Sequence, residues 1–265
     1  MPTLTDPIDN FPSLSNDSPA DRLAVALDFP SAQEAIALVD RLEGSCKWFK
    51  VGLELYLAAG NSLVHTLKQR GFDIFLDLKL HDIPNTVAGS VRTVSETGAS
   101  LLTIHAAGGA AMMAAAAEAA QGRNAPRLLA VTVLTSMDAA ELGSIGVSAT
   151  AEEQVLRLAL LARKSGITGL VSSAAEVEVL RKNLGNEIML VTPGIRSAGE
   201  ARGDQKRVAT ATTAIKNGAS MLVVGRPITK SPDPSAAARA ILAEIAAAIV
   251  QGRIQATQIQ PPVSR

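Results

Sequence analysis

The run Phe75-Leu76-Asp77-Leu78-Lys79-Leu80-His81-Asp82-Ile83-Pro84-Asn85-Thr86 holds the side chains best placed to do chemistry. Ile74, Leu76, Leu78 and Leu80 alternate with Asp77 and Lys79, the period of a β-strand, so the two charges share one face. A third charge, Asp82, follows just before a Pro-Asn-Thr turn. A strand with one wet face could carry these charges as a surface salt bridge. In a closed parallel barrel the same face points inward, where an unpaired charge is costly. An ammonium group held there among carboxylates can stabilise developing negative charge and then deliver a proton.

Other candidates fall at the ends of expected strands. Asp28 ends the apolar run 22–28, and Lys50 lies in the run 47–54. With Asp77 and Lys79 they make an alternating line of acid, base, acid, base. A purely structural ion-pair network is the alternative, yet buried ion pairs rarely outdo packed apolar groups, so four such charges at one end need a reason. Val223-Val224-Gly225-Arg226 precedes Pro227 and a later helix start. In barrels the loops after the seventh and eighth strands commonly hold a phosphate through backbone N–H groups, and Arg226 would add a bidentate clamp. Residues 192–205 are too long and too rich in glycine for a plain connector. Arg196, Arg202 and Gln205 favour reading them as a lid.

These residues need a frame that gathers strand ends at one mouth. Apolar runs at 22–28, 47–54, from 73, 100–106, 127–134, 167–172, 188–192 and 221–225 read as strands. Helical spacing falls between them, at about 60–70, 84–98, 108–122, 150–166, 173–185, 208–218 and 234–250, with a first helix from Ser31 to Gly44. Ser31 with Glu34, Thr150 with Glu153 and Ser173 with Glu176 have capping-box spacing. Eight alternations predict an α/β chain folded as one (β/α)8 TIM barrel over residues 21–252, with tails at 1–20 and 253–265. A doubly wound open sheet is the runner-up, but no glycine-rich dinucleotide turn follows the first strand.

The 265 residues carry 25 basic and 25 acidic side chains, which argues against a nucleic-acid or membrane-surface binder. The single cysteine, Cys46, excludes an internal disulfide and any cysteine-based metal cluster, and reads as packing. His81 and His105 lack ligand spacing and read as polar packing or dimer residues, while Met112-Met113 reads as core. No metal or organic cofactor is expected. The first twenty residues lack Lys, Arg and a long apolar run, so they do not read as a signal peptide. Residues 97–117 carry no formal charge apart from His105, but Gly108-Gly109 breaks them, giving strand, turn and helix rather than a membrane span. A soluble cytoplasmic protein is expected.

The string from Asp77 to Thr86 closely resembles the signature of the orotidine 5'-phosphate decarboxylase family. Ala-Leu-Asp28, Lys50-Val-Gly, Leu134-Thr-Ser, Thr192-Pro-Gly-Ile-Arg196, Gly203-Asp-Gln205 and Val-Gly225-Arg226 extend the resemblance in order along the barrel. The resemblance implies a cofactor-free carboxy-lyase that turns orotidine 5'-phosphate into UMP in pyrimidine synthesis. It makes Lys79 the proton donor and puts Asp77 beside the reacting carboxylate. Asp82 is supplied to the other subunit's site, with Ile83 and Thr86 lining the shared pocket, so a homodimer is implied. Asp28 and Lys50 hold the ribose, Thr135 meets the pyrimidine, and Gln205, Gly225 and Arg226 take the phosphate, with Arg196 on the lid. Hexulose-phosphate synthases share the D-x-K-x-x-D strand but would use a divalent metal. The His-Asp-Ile-Pro-Asn-Thr continuation and Gly-Asp-Gln speak against them and against ribulose-phosphate epimerases. A silent nucleotide-binding barrel should have lost a charged position, and none is lost.

Overall fold

Apolar runs too short to bury themselves singly close into a ring of eight parallel strands, in the order β1 to β8 around the barrel. The computed structural model of the chain describes residues 18–42, 44–196 and 208–258, with side chains through residue 251. The strands are β1 (Leu23–Leu27), β2 (Trp48–Gly52), β3 (Asp73–Leu80), β4 (Leu101–His105), β5 (Arg127–Val131), β6 (Gly169–Val171), β7 (Met189–Thr192) and β8 (Met221–Val224). Around them lie α1 (Ala32–Arg41), α2 (Leu53–Gln69), α3 (Pro84–Ser95), α4 (Gly109–Ala119), α5 (Ala139–Ser144), α6 (Ala151–Lys164), α7 (Val177–Leu184), α8 (Ala211–Lys216), α9 (Arg226–Thr229) and α10 (Pro234–Gln258). The expected (β/α)8 barrel is therefore the fold.

Strand alternation sorts the apolar side chains into two layers. Ala24, Ala26, Trp48, Phe75, Leu101, Leu129, Met189, Val191, Met221 and Val223 fill the inside of the barrel. Their neighbours in sequence, such as Val25, Phe49, Leu76, Leu102 and Leu222, pack outward against the helices. Each such buried side chain stabilises the fold by about 1.5–3 kcal/mol relative to exposure. The interior is crowded at β6, where a Cβ on Gly169 would stand 2.8 Å from the Leu128 carbonyl oxygen. Any larger residue there must push two strands apart.

Several boundaries differ from the sequence reading. The second strand ends at Gly52, and α2 starts at once from Leu53, kinking at Gly60 (φ 61°) where the sequence placed its beginning. The Thr150–Glu153 capping box forms reciprocally. Ser31 accepts from the Glu34 N–H as expected. The Ser173–Glu176 pair does not cap α7. Its two side chains hydrogen-bond to each other while buried, and the helix begins only at Val177, with Glu176 at the cap position. The six-residue α5, with its own Asp138–Glu141 capping box, was not anticipated. Its single turn and a half offers no readable apolar period. Met112, Met113 and Cys46 are buried, as expected.

One helix, Pro234–Gln251, has the length and apolar composition of a membrane span. It instead buries Ala238, Ile241, Ile245 and Ala248, spaced three and four apart, in the barrel's outer core.

Candidate active site

The C-terminal ends of β1, β2 and β3 bring Asp28, Lys50, Asp77 and Lys79 into one chain of ion pairs. Lys50 Nζ lies 3.1 Å from Asp28 Oδ1 and 3.5 Å from Asp77 Oδ2. Lys79 Nζ lies 2.8 Å from Asp77 Oδ1. Alternation explains three of the positions, because Asp28, Lys50 and Asp77 each follow an inward-facing residue, Ala26, Trp48 and Phe75, by two. Gly52 leaves room for the cluster, since a Cβ there would meet Lys50 Nζ at 3.0 Å.

Lys79 is placed differently. Its backbone has φ 50°, the only positive φ among the described residues other than glycine. The register between β3 and β4 shifts between Leu76 and Leu80. A left-handed lysine costs roughly 1–2 kcal/mol. The neighbouring strand supports it: the Lys79 backbone N–H donates to Thr103 Oγ1 at 2.9 Å, and the Thr103 hydroxyl donates to Asp77 Oδ1 at 3.0 Å. Regular alternation, as read from the sequence, therefore stops short of Lys79.

Burial alone would raise the Asp77 carboxyl. The charges of Lys50 and Lys79, with hydrogen bonds from Lys79 and Thr103, outweigh it and hold Asp77 below the ordinary carboxylate range. Lys50 and Asp77 side chains are only 11% and 15% exposed, whereas Asp28 is 62% exposed at the rim. Deep in the mouth the pairing is thus little screened, and at the rim it is screened well. Burial, with the charges of His81 and Lys79, pushes the His105 imidazole down against the pull of Asp77. Its ring lies 5.3 Å from that of His81.

The cluster opens into a cavity of about 490 Å³, a size suited to a small-molecule ligand. Thr135, Arg196, Gly225 and Arg226 line it. Arg196 is buried and donates from Nη1 to the Ile195 carbonyl at 2.7 Å. The base of the long loop is tied shut, because the Arg196 N–H bonds to the Ala209 carbonyl and the Ala209 N–H to the Gly194 carbonyl. Gln205 and the rest of 197–207 lie outside the described residues. Residues 1–17 and 259–265 of the expected tails do too.

Asp82, Ile83 and Thr86 are not part of this cavity. Asp82 is exposed and accepts the Ile83 N–H at 2.6 Å, in a separate outer hollow shared with His81 and Gly108. Ile83 is 67% exposed, and on α2 Leu53 and Leu57 are 49% and 80% exposed.

Three residues at the site escaped the sequence reading. Lys230 lines the cavity four residues after Arg226, a helical spacing that recognising α9 would have revealed. Ser172 lines it from the end of β6, with its hydroxyl buried and without a hydrogen-bond partner among the described residues. Thr103 gave no sequence signal, because a threonine in a strand is ordinary. Among the described residues no group of three or more His, Cys, Asp or Glu side chains could hold a metal ion.

Comparison with known proteins agrees with this geometry. The model of the orotidine 5'-phosphate decarboxylase / HUMPS family matches residues 21–241. The chain is 52% identical over 232 residues to an orotidine 5'-phosphate decarboxylase of Moorella thermoacetica, covering 85% of this chain and 92% of that one. It is 52% identical over 225 residues to that of Nitrosococcus oceani, covering 84% and 97%. The crystal structure of orotidine 5'-phosphate decarboxylase from Lactobacillus acidophilus superposes with a TM-score of 0.76 at 39% identity, over 85% of this chain and 99% of that one. By motif, barrel and matched length, the chain belongs to the orotidine 5'-phosphate decarboxylase / HUMPS family.

Proposed function

We propose that the Asp28–Lys50–Asp77–Lys79 cluster is the catalytic centre of a carboxy-lyase that converts orotidine 5'-phosphate to UMP and carbon dioxide. The carrying observation is Lys79 Nζ, held 2.8 Å from a carboxylate that two lysines share. Loss of carbon dioxide from C6 of the pyrimidine leaves an in-plane electron pair that the ring π-system cannot absorb. The Lys79 ammonium stabilises that charge as the C–C bond breaks, and then gives its proton to C6. At an effective dielectric near 20, one unit pair at 4 Å is worth roughly 4 kcal/mol. Enzymes commonly supply about 8–23 kcal/mol, so the rest comes from the other fixed charges, exclusion of water and remote binding.

Asp28 and Lys50 serve the ribose, and Thr135 the pyrimidine. Gly225 and Arg226, with Gln205 from the long loop, serve the phosphate, and Arg196 anchors the lid. Phosphate binding at the far side of the cavity would hold the lid down and fix the charged line in its reactive arrangement. The exposed Asp82, Ile83 and Thr86 fit a homodimer in which each subunit completes its neighbour's site. The reaction belongs to the cytoplasm.

The test is the absorbance change of orotidine 5'-phosphate becoming UMP, followed with and without EDTA. Chelator-insensitive turnover that Lys79→Ala abolishes, while UMP binding persists, is the expected result. A protein that leaves orotidine 5'-phosphate unchanged but acts on a sugar phosphate in an EDTA-sensitive way would instead favour the metal-using sugar-phosphate branch of the family. Normal turnover by a clean Lys79→Ala preparation would remove the assignment.

A further inference from the structure

We propose that the N-terminal mouth of the barrel, opposite the catalytic cluster, is a second binding site for a small organic anion with a flat apolar body. A cavity of about 480 Å³ opens there. Its apolar floor is the lowest layer of the barrel interior, with Trp48, Leu101, Met189 and Met221 at the first residues of their strands or next to them. Its wall and rim carry the guanidinium groups of Arg22, Arg123, Arg127 and Arg181.

The two lining carboxylates are themselves engaged by lysines. Asp21 accepts from Lys47 at 2.6 Å, and Asp73 takes Lys47 at 3.6 Å, Lys68 at 3.4 Å and the Ser100 hydroxyl at 3.1 Å. Arg181 spends its N–H groups on neutral acceptors: the Gly218 carbonyl at 2.8 Å, the Ile188 carbonyl at 2.6 Å and Ser220 Oγ at 2.7 Å. Gly218, at φ 103°, gives the arginine stem its room, because a Cβ would stand 2.8 Å from Arg181 Cγ. Burial draws Arg22, Arg127 and Arg181 below the ordinary guanidinium range, and Arg22 adds to the effect on Arg181. Positive charge is thus concentrated where solvent stabilises it poorly, which favours an incoming anion.

An independent observation points to a ligand. Trp48 is 6% exposed and lines this cavity, yet its indole N–H has no hydrogen-bond partner among the described residues. Buried indole N–H groups usually find an acceptor. A carboxylate or phosphomonoester would accept from it and from the guanidinium groups, with the ligand's ring lying on the Met189–Met221 floor. Guanidinium groups suit both kinds of anion equally.

Trp48 is the only tryptophan in the chain, so its indole ¹⁵N–H resonance reports on this mouth alone. Phenyl phosphate and benzoate, two rings bearing the two anions, are titrated into the full-length ¹⁵N-labelled protein, with inorganic phosphate as the probe lacking a ring. A saturable shift with either aromatic anion, weaker or absent with inorganic phosphate, is expected, and the tighter of the two identifies the anionic group. The shift persists in Arg226→Ala, which disables the other mouth. It weakens about tenfold or more in Arg123→Glu, a change at an exposed rim position whose decarboxylation rate stays at the wild-type level. The proposal is overturned by no saturable shift up to about 10 mM ligand, by a shift indifferent to Arg123→Glu, or by one that Arg226→Ala removes.

Discussion

The backbone N–H of Lys79 donates to the side chain of Thr103, across the β3–β4 junction, at 2.9 Å. A side-chain oxygen thus stands where a regular parallel ladder would offer a carbonyl, and it lets Lys79 keep its left-handed backbone. The same hydroxyl reaches Asp77, so one fully buried threonine sets both the lysine and its carboxylate. Thr103→Val keeps the shape and removes both bonds. It should destabilise the fold by about 1–3 kcal/mol, as a buried donor left unsatisfied does. It should also lower kcat by roughly 10- to 100-fold with little change in KM, since the disturbed groups act at the transition state. Thr103→Ser should recover most of kcat. Urea unfolding and steady-state kinetics on the two variants check this, and a valine variant with wild-type kcat would refute the positioning role.

Asp82 faces away from its own cavity, which makes subunit complementation decisive. Lys79→Ala and Asp82→Ala proteins should each be nearly inactive alone. When they are mixed, unfolded and refolded together, the proposed homodimer makes half of the dimers mixed, each of those carrying one intact site. Activity should return to about a quarter of wild type. Activity that stays at the level of the two parents would show that Asp82 serves its own subunit or none.

The half-buried His105 ring should make stability depend on pH near neutrality. Its folded value lies below the ordinary imidazole range of about 6.5, so the unfolded chain binds the proton first as pH falls. Its stabilising contribution is therefore complete above about pH 6.5 and declines as pH drops through that value. Asp77 shifts the other end of the scale: its contribution holds above about pH 3.9 and is lost only toward its lowered folded value. Thermal melting between about pH 7.5 and 5.5 should show a falling midpoint, and His105→Gln should flatten the slope. An unchanged slope in the variant would assign the effect elsewhere.

Cys46 should be inert in the native state. Burial pushes its thiol up to about 11, even though a hydrogen bond from Ser45 opposes the shift. At pH 8 roughly one thiol in a thousand would be ionised, and that fraction is shielded by the surrounding core. A chromogenic disulfide reagent should therefore react only at the rate of unfolding, and fast stoichiometric labelling of native protein would contradict the burial.

The barrel was legible in the sequence because its signals are local. Val25, Phe49, Leu76 and Leu102 lie in short apolar or alternating runs that read as strands, and Thr150 with Glu153 marked a helix start that forms as expected. Asp28, Lys50 and Asp77 were equally legible, because strand period and fold class together place them at one mouth. Where signals were short or ambiguous, the reading slipped. Six residues of α5 show no period, and Ser173 with Glu176 has cap spacing but bonds side chain to side chain in the core.

The chain's own order of residues thus determined the eightfold βα rhythm, the charged line on the first three strands and the family to which they belong, since each follows from neighbours close in sequence. Tertiary structure alone decided the kink at Lys79, the service of Thr103 to two partners, the entry of Ser172 and Lys230 into the cavity, and the gathering of arginines around Trp48 at the far mouth. Those outcomes depend on strands separated by tens of residues meeting in a particular register, and no local pattern encodes that distance.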